Sequence, residues 1–109
     1  MELSTATHCM IYVTTSSLGE ARSISHMLIK ENLAACANIF ENATSIYRWK
    51  GHIQEDKESI LFLKTRMELA QKAIQRIKSL HSNETPCAVA YEIAEGLTEY
   101  LQWVDENTP

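Results

Sequence analysis

The sequence predicts an α+β fold: a ferredoxin-like βαββαβ sandwich with an extended central hairpin and a short C-terminal helix, assembled from several copies. Three observations predict it. Extended and helical patterns alternate in the order β-α-β-β-α-β, the order of two split βαβ units that place both long helices on one face of an antiparallel sheet. The 109 residues are 45% hydrophobic with only three Gly and two Pro, which suits one packed domain and excludes disordered or collagen-like classes. The arms of the central hairpin are about twice as long as the strand of six or seven residues that matches a ~21 Å helix.

Residues 1–7 are small and polar and are expected to fray, leaving a single domain over residues 8–109. Cys9-Met10-Ile11-Tyr12-Val13-Thr14-Thr15 is β-branched and aromatic and reads as a strand buried on both faces. Ser17 with Glu20 forms a capping box that starts a helix, with Leu18, Ala21, Ile24 and Leu28 as its apolar stripe. Asn32 is a left-handed terminator, with Leu33 folding back toward Leu28.

From Ala35 to Trp49 the residues favour extended structure, with a bulge or bend at Glu41-Asn42. Lys50-Gly51 makes a tight turn into a second arm, polar from Gln54 to Glu58 and apolar over Ile60-Leu61-Phe62-Leu63. Thr65 and Glu68 repeat the capping box, so a second helix is expected from about Arg66 to His81, with Leu69, Ala73, Ile77 and Leu80 inward. Pro86 precedes the last strand, Cys87 to Ile93. Gly96 then introduces Leu97, Tyr100, Leu101 and Val104 at helical spacing.

The hairpin's outer half must project past the two-layer core, carrying Tyr47, Trp49 and Ile53. A bare ribbon of this kind is marginal in water and prone to aggregate. Pairing between copies in a closed ring covers it, with Tyr47, Trp49 and Ile53 as the interface. The competing expectation is a hairpin that curls back onto its own sheet.

Net charge is -4, from ten Lys+Arg against fourteen Asp+Glu, which opposes a general nucleic-acid binder. The longest apolar run, Ile60 to Leu63, is far too short to cross a bilayer, so no membrane partner is expected. Cys9, Cys36 and Cys87 are odd in number and widely separated, which favours reduced thiols and a cytoplasmic location over a disulfide framework.

Leu33-Ala34-Ala35-Cys36-Ala37-Asn38-Ile39, the hairpin Thr44 to Ile53, Leu63-Lys64-Thr65 and Tyr100-Leu101-Gln102-Trp103-Val104 resemble the signature stretches of the CutA divalent-cation tolerance family. The resemblance spans about Cys9 to Val104. It implies a ferredoxin-like homotrimer similar to the PII signalling proteins, and a non-enzymatic role in tolerance of copper and other divalent metals. Members often carry His-Pro-Tyr-Glu-x-Pro-Glu after the second helix. Here His81, Glu84 and Pro86 match, whereas Ser82, Asn83 and Cys87 depart, and Val13 stands where some members have Cys.

Imidazole and thiolate donors suit Cu(II) and similar ions. Four His and three Cys are available, without a Cys-x-x-Cys or a helical His pair. The best constellation is His81 and Glu84, with Cys87 as a third ligand. The plainer reading is a helix terminus with an exposed His, a surface Glu and a buried Cys.

Two catalytic or nucleic-acid alternatives find less support. An RNA module of this topology needs aromatics on the open sheet face with positive charge around them, whereas only Phe62 lies in the apolar half of the third strand, the glycine-rich aromatic signature is absent and the net charge has the wrong sign. An anion-holding loop at Thr14 to Gly19 has no Arg until Arg22. A PII-like cleft for a small molecule or protein signalling partner would draw on Lys64, Glu84, Tyr91 and Trp103.

Overall fold

Alternation along the first strand sets up both layers of the molecule. In the computed structural model, which describes residues 5–109, strand β1 (His8–Thr15) buries Cys9, Ile11, Val13 and Thr15 on one face and leaves Met10, Tyr12 and Thr14 half-buried on the other. The remaining elements are α1 (Leu18–Lys30), β2 (Cys36–Trp49), β3 (His52–Arg66), α2 (Ala70–Leu80), β4 (Ala88–Ile93) and α3 (Thr98–Glu106). All pairings are antiparallel, in the order β2-β3-β1-β4, as the ferredoxin-like expectation requires. Ile24 and Leu28 of α1 and Ala70, Ala73 and Ile77 of α2 pack on Cys9, Ile11, Val13, Leu61 and Leu63. β1 is therefore not buried on both faces, because the two long helices cover only one.

The end of α1 follows its sequence signals closely. Asn32 takes φ 61°, its N–H donates to the Ile29 carbonyl at 3.1 Å, and the Leu33 N–H donates to the Leu28 carbonyl at 2.9 Å, a complete Schellman motif. At the other end the Ser17 hydroxyl accepts from the Glu20 N–H at 3.1 Å. The Glu20 carboxylate does not close the box on Ser17. It accepts instead from the Ser16 N–H at 2.9 Å and from the Ser82 N–H at 2.8 Å, joining the helix to the loop after α2.

The second capping box does not form. β3 runs on through Arg66, a 3-10 turn spans Met67–Leu69, and α2 begins only at Ala70. Thr65 continues the inward alternation of Leu61 and Leu63, so its side chain is buried and its hydroxyl lacks a hydrogen-bond partner among the described residues. Glu68 pairs with Arg66 instead. Strand alternation outranked the local cap because Thr65 pairs with Cys9 in the middle of the sheet.

β2 and β3 have 14 and 15 residues against 8 in β1, and β1 pairs β3 only from Ser59 inward. Among the described residues, the outer seven residues of β3 thus have only β2 as a ladder partner. Phe40 pairs with Ile60 but Ala43 pairs with Glu58, so one extra residue sits in β2, with Asn42 at φ 62°. This bulge reverses which parity faces which side. Ser45, Tyr47 and Trp49 consequently share the open face with Phe40, while Arg48 and Ile53 point to the other. Lys50 and Gly51, at φ 50° and 82°, close the hairpin as a type I′ turn requires.

Helix α3 crosses one end of the open face. His8 Nε2 meets Asp105 Oδ1 at 2.8 Å, and Arg66 Nε donates to Thr108 Oγ1 at 3.0 Å. The expected fraying of residues 1–4 falls outside the described residues. Thr7 is tied down, its carbonyl accepting from Met67 N–H at 2.8 Å. Among the described residues no helix is long and apolar enough to cross a membrane.

Candidate functional site

The bulge and the loop after α2 together shape a concavity. A cavity of about 760 Å³ lies on the open sheet face, with Tyr12 and Thr14 as its floor. Tyr47 and Trp49 of the ribbon form one wall, and the segment from Ser82 to Cys87 forms the other. Glu58, Glu84 and Cys87 bring two carboxylates and a thiol to this space, and none of its lining residues is Lys, Arg or His. Tyr47 Oη donates to the Asp56 carboxylate one step along the ribbon. Burial pushes the Tyr12 phenol up, and the neighbouring Cys87, Glu58 and Tyr91 push it further, as expected where negative charge gathers.

Glu20 anchors the loop wall. Burial pushes its carboxyl up, but the hydrogen bonds from Ser82 and Ser16 and the nearby His81 outweigh that and bring it down to about 2. His81 is itself buried. Its Nε2 donates to the Thr14 carbonyl at 2.8 Å, and its Nδ1 accepts from the Asn83 N–H at 3.0 Å. Those partners fix the tautomer and use both ring nitrogens. Cys87, by contrast, is exposed. The plainer expectation of an exposed His and a buried Cys is thus reversed on both counts.

The structure brings Glu84 and Cys87 to one cavity but turns His81 inward to hold the backbone. Cys9 is fully buried and desolvation pushes its thiol up to about 11. Among the described residues no three His, Cys, Asp or Glu side chains form a metal-holding group. Glu20 also occupies the Ser16 N–H that an anion at the Thr14 to Gly19 loop would need.

Lys64 and Trp103 meet through Tyr100. The Lys64 ammonium donates to Asn38 Oδ1 at 3.1 Å and lies 5.8 Å from the Tyr100 ring centre, while Trp103 stacks on that ring at 5.7 Å. Cys36 Sγ is 3.2 Å from Tyr100 Oη. Burial, then the Cys36 contact, pushes that phenol up to about 12. Tyr91 stands apart from this cluster, exposed on β4 opposite Met10.

Aromatics from the neighbouring strands join Phe62 on the open face. Tyr12 lies 5.5 Å and Phe40 5.9 Å from the Phe62 ring, and Tyr91 shares their side. Sequence reasoning missed Tyr12 and Glu58 as cavity residues. The signal was strand alternation: Tyr12 pairs with Phe62 and Glu58 keeps the parity of Ile60 and Phe62 along β3, while the Glu41-Asn42 bulge brings only the β2 residues Tyr47 and Trp49 to that side.

The profile of the CutA1 divalent ion tolerance protein family matches residues 9–107. The chain belongs to that family. A Thermus thermophilus relative named divalent-cation tolerance protein CutA is 46% identical over 99 residues, 91% of this chain and 96% of that protein. The solved T. thermophilus divalent cation tolerance protein structure has a TM-score of 0.90 at 44% identity, covering 94% of this chain and 99% of that one. A structure titled periplasmic divalent cation tolerance protein CutA, from Archaeoglobus fulgidus, has a TM-score of 0.91 at 40% identity, with 94% and 99% covered. An Arabidopsis thaliana relative, named chloroplastic, is 31% identical over 91% of this chain and 54% of its own length. Names in the CutA family therefore span more than one compartment.

Proposed function

We propose that this CutA-family chain is a non-enzymatic, homotrimeric cytoplasmic protein that binds divalent cations, copper first, at the cavity between ribbon and loop. The observation that carries the reading is that Glu58, Glu84 and Cys87 open onto one space lined by no cationic side chain. A thiolate favours soft and borderline ions, and the two carboxylates add negative charge that draws a divalent cation. One copy supplies an incomplete shell, so water or a neighbouring copy fills the remaining positions. His81 joins only if it releases Thr14 and Asn83.

The trimer is supported by apolar surface that a single copy leaves bare. Ile46 is 67% and Ile53 70% exposed, with Phe40, Trp49 and Tyr91 half exposed or more. Such a patch marks an interaction surface, and Ile53 and Trp49 lie on opposite faces of the ribbon, so both faces call for a partner. The three free cysteines fit a reducing compartment.

Titration calorimetry with Cu(II) tests the metal reading. Glu84→Gln with Cys87→Ser is expected to abolish the strongest heat, whereas His81→Ala is expected to leave it. Equal heats from the double variant and the unmodified chain would remove the cavity from the argument. The cavity's size favours a second reading, a PII-like cleft for a small molecule, because about 760 Å³ lies in the range of small-ligand pockets.

A further inference from the structure

We propose that Thr7 is an acyl acceptor, its hydroxyl activated by His8 and Asp105 to attack uncharged activated esters of short acids. The site lies apart from the cation cavity and does not depend on it. His8 Nε2 meets Asp105 Oδ1 at 2.8 Å, and His8 Nδ1 meets Thr7 Oγ1 at 2.9 Å. A carboxylate only accepts, so Nε2 carries the ring proton and the bare Nδ1 accepts from the Thr7 hydroxyl. Nucleophile, base and orienting carboxylate thus stand in hydrogen-bonded order, the arrangement that activates a hydroxyl.

Burial distinguishes this trio from a chain of surface hydrogen bonds. The His8 side chain is 9% exposed, whereas Thr7 is open to an incoming ester. The Thr7 carbonyl accepts from the Met67 N–H at 2.8 Å, which fixes the backbone behind the hydroxyl. A tether for α3 would use Nε2 alone. Here the second ring nitrogen is aimed at a hydroxyl beside a cavity.

That cavity, of about 210 Å³, has Thr7 and His8 in its wall together with Ala6, Ile93, Ala94 and Leu101. Such small and apolar groups suit a short acyl chain. Glu92 lines the same space and repels acyl phosphates and other anionic donors, and no Lys or Arg among the lining residues holds an oxyanion. The donor therefore needs a good leaving group. Thr7 and His8 sit at the Arg66 end of the β1–β3 ladder, and the ribbon projects from the other end, beyond Ser59. Tyr47, Trp49 and Ile53 take no part in the lining.

The step is a substitution at the acyl carbon. Thr7 Oγ1 forms the new C–O bond, its proton passes to His8 Nδ1, and the bond from the carbonyl carbon to thiolate or aryloxide breaks. The proton then leaves with that group. The products are a Thr7 ester and a thiol or phenol, with no oxidant or reductant consumed. One acyl group is taken per chain, so the step modifies the protein and stands beside its non-enzymatic role.

The test incubates the full-length chain with p-nitrophenyl butyrate and follows butyryl transfer residue by residue by peptide mass spectrometry. Thr7 is expected to be labelled faster than any other hydroxyl, and about a hundredfold or more slowly in His8→Gln, the range a general base supplies. Thr7→Ser is expected to keep the label at position 7, and acetyl phosphate to leave none there. Asp105→Asn is expected to slow the labelling at least about tenfold and to move the His8 ring-nitrogen NMR shifts away from the Nε2–H tautomer. Thr7 labelled no faster than other exposed threonines, or at an equal rate in His8→Gln, would overturn the proposal. Unchanged labelling and tautomer in Asp105→Asn would overturn the part given to Asp105. Should His8→Gln lose its native far-ultraviolet circular dichroism, Asp105→Asn, at a side chain 50% exposed, and Thr7→Ser keep the test decisive.

Discussion

Replacing Glu20 by Gln removes one charge from the junction of α1 and the loop wall and leaves one acceptor oxygen where the carboxylate uses one for Ser16 and the other for Ser82, much as the protonated carboxyl does. The carboxyl lies at about 2 in the folded chain against an ordinary 4.5. At about 1.4 kcal/mol per pH unit of difference, the full linkage is ~3 kcal/mol. The side chain is 13% exposed, and solvent screening brings the expected contribution to about 2 kcal/mol.

The sign follows from a lowered folded value. Stability from Glu20 is fully present above pH 4.5, declines as the pH falls toward about 2, and is absent below that. Urea unfolding at fixed protein concentration, repeated from pH 7 down to pH 2, reads this directly. The unmodified chain is expected to exceed Glu20→Gln by about 2 kcal/mol at pH 7, with the two curves converging at the acid end. A constant offset at every pH would refute the reasoning, because it would assign the loss to geometry instead of charge.

Three further outcomes follow from the packing. Leu63→Ala, at a fully buried position, is expected to cost about 2–5 kcal/mol in urea unfolding; a loss under 1 kcal/mol would mean the core collapses around it. Deleting Asn42 is expected to restore simple alternation and turn Tyr47 and Trp49 outward, read as altered quenching of Trp49 emission by acrylamide in the Trp103→Phe background; unchanged quenching would show that the ribbon compensates elsewhere. Alkylation followed by mass spectrometry is expected to modify Cys87 first and Cys9 last, since Cys9 is buried with its thiol raised to about 11; early labelling of Cys9 would contradict the described packing.

Much of the fold was legible because its signals were local or periodic. Asn32 ended α1, Glu41-Asn42 marked the bulge, and Lys50-Gly51 turned the hairpin, each through a backbone conformation that few residues favour. The second capping box failed because Thr65 obeyed strand alternation over distant neighbours, a competition that local pattern does not expose. The Ser17 box was only half right for a similar reason: Glu20 found Ser82, 62 residues away.

The site was less legible than the fold. Glu84 and Cys87 were placed near one another by sequence proximity, and both line the cavity. His81 is adjacent in sequence yet faces Thr14 and Asn83, since a helix terminus lets neighbouring side chains diverge. Tyr12 and Glu58 come from strands that pair only in three dimensions. Lys64 and Trp103 did meet, but around Tyr100 and Cys36, away from the cavity and from Tyr91.

One copy leaves the apolar surface of the ribbon uncovered. Multi-angle light scattering of the full-length chain at micromolar concentration and neutral pH is expected to give three times the 12.4 kDa of a single chain, with Trp49→Glu shifting it to smaller species. A mass of 12.4 kDa for the unmodified chain would contradict the trimer.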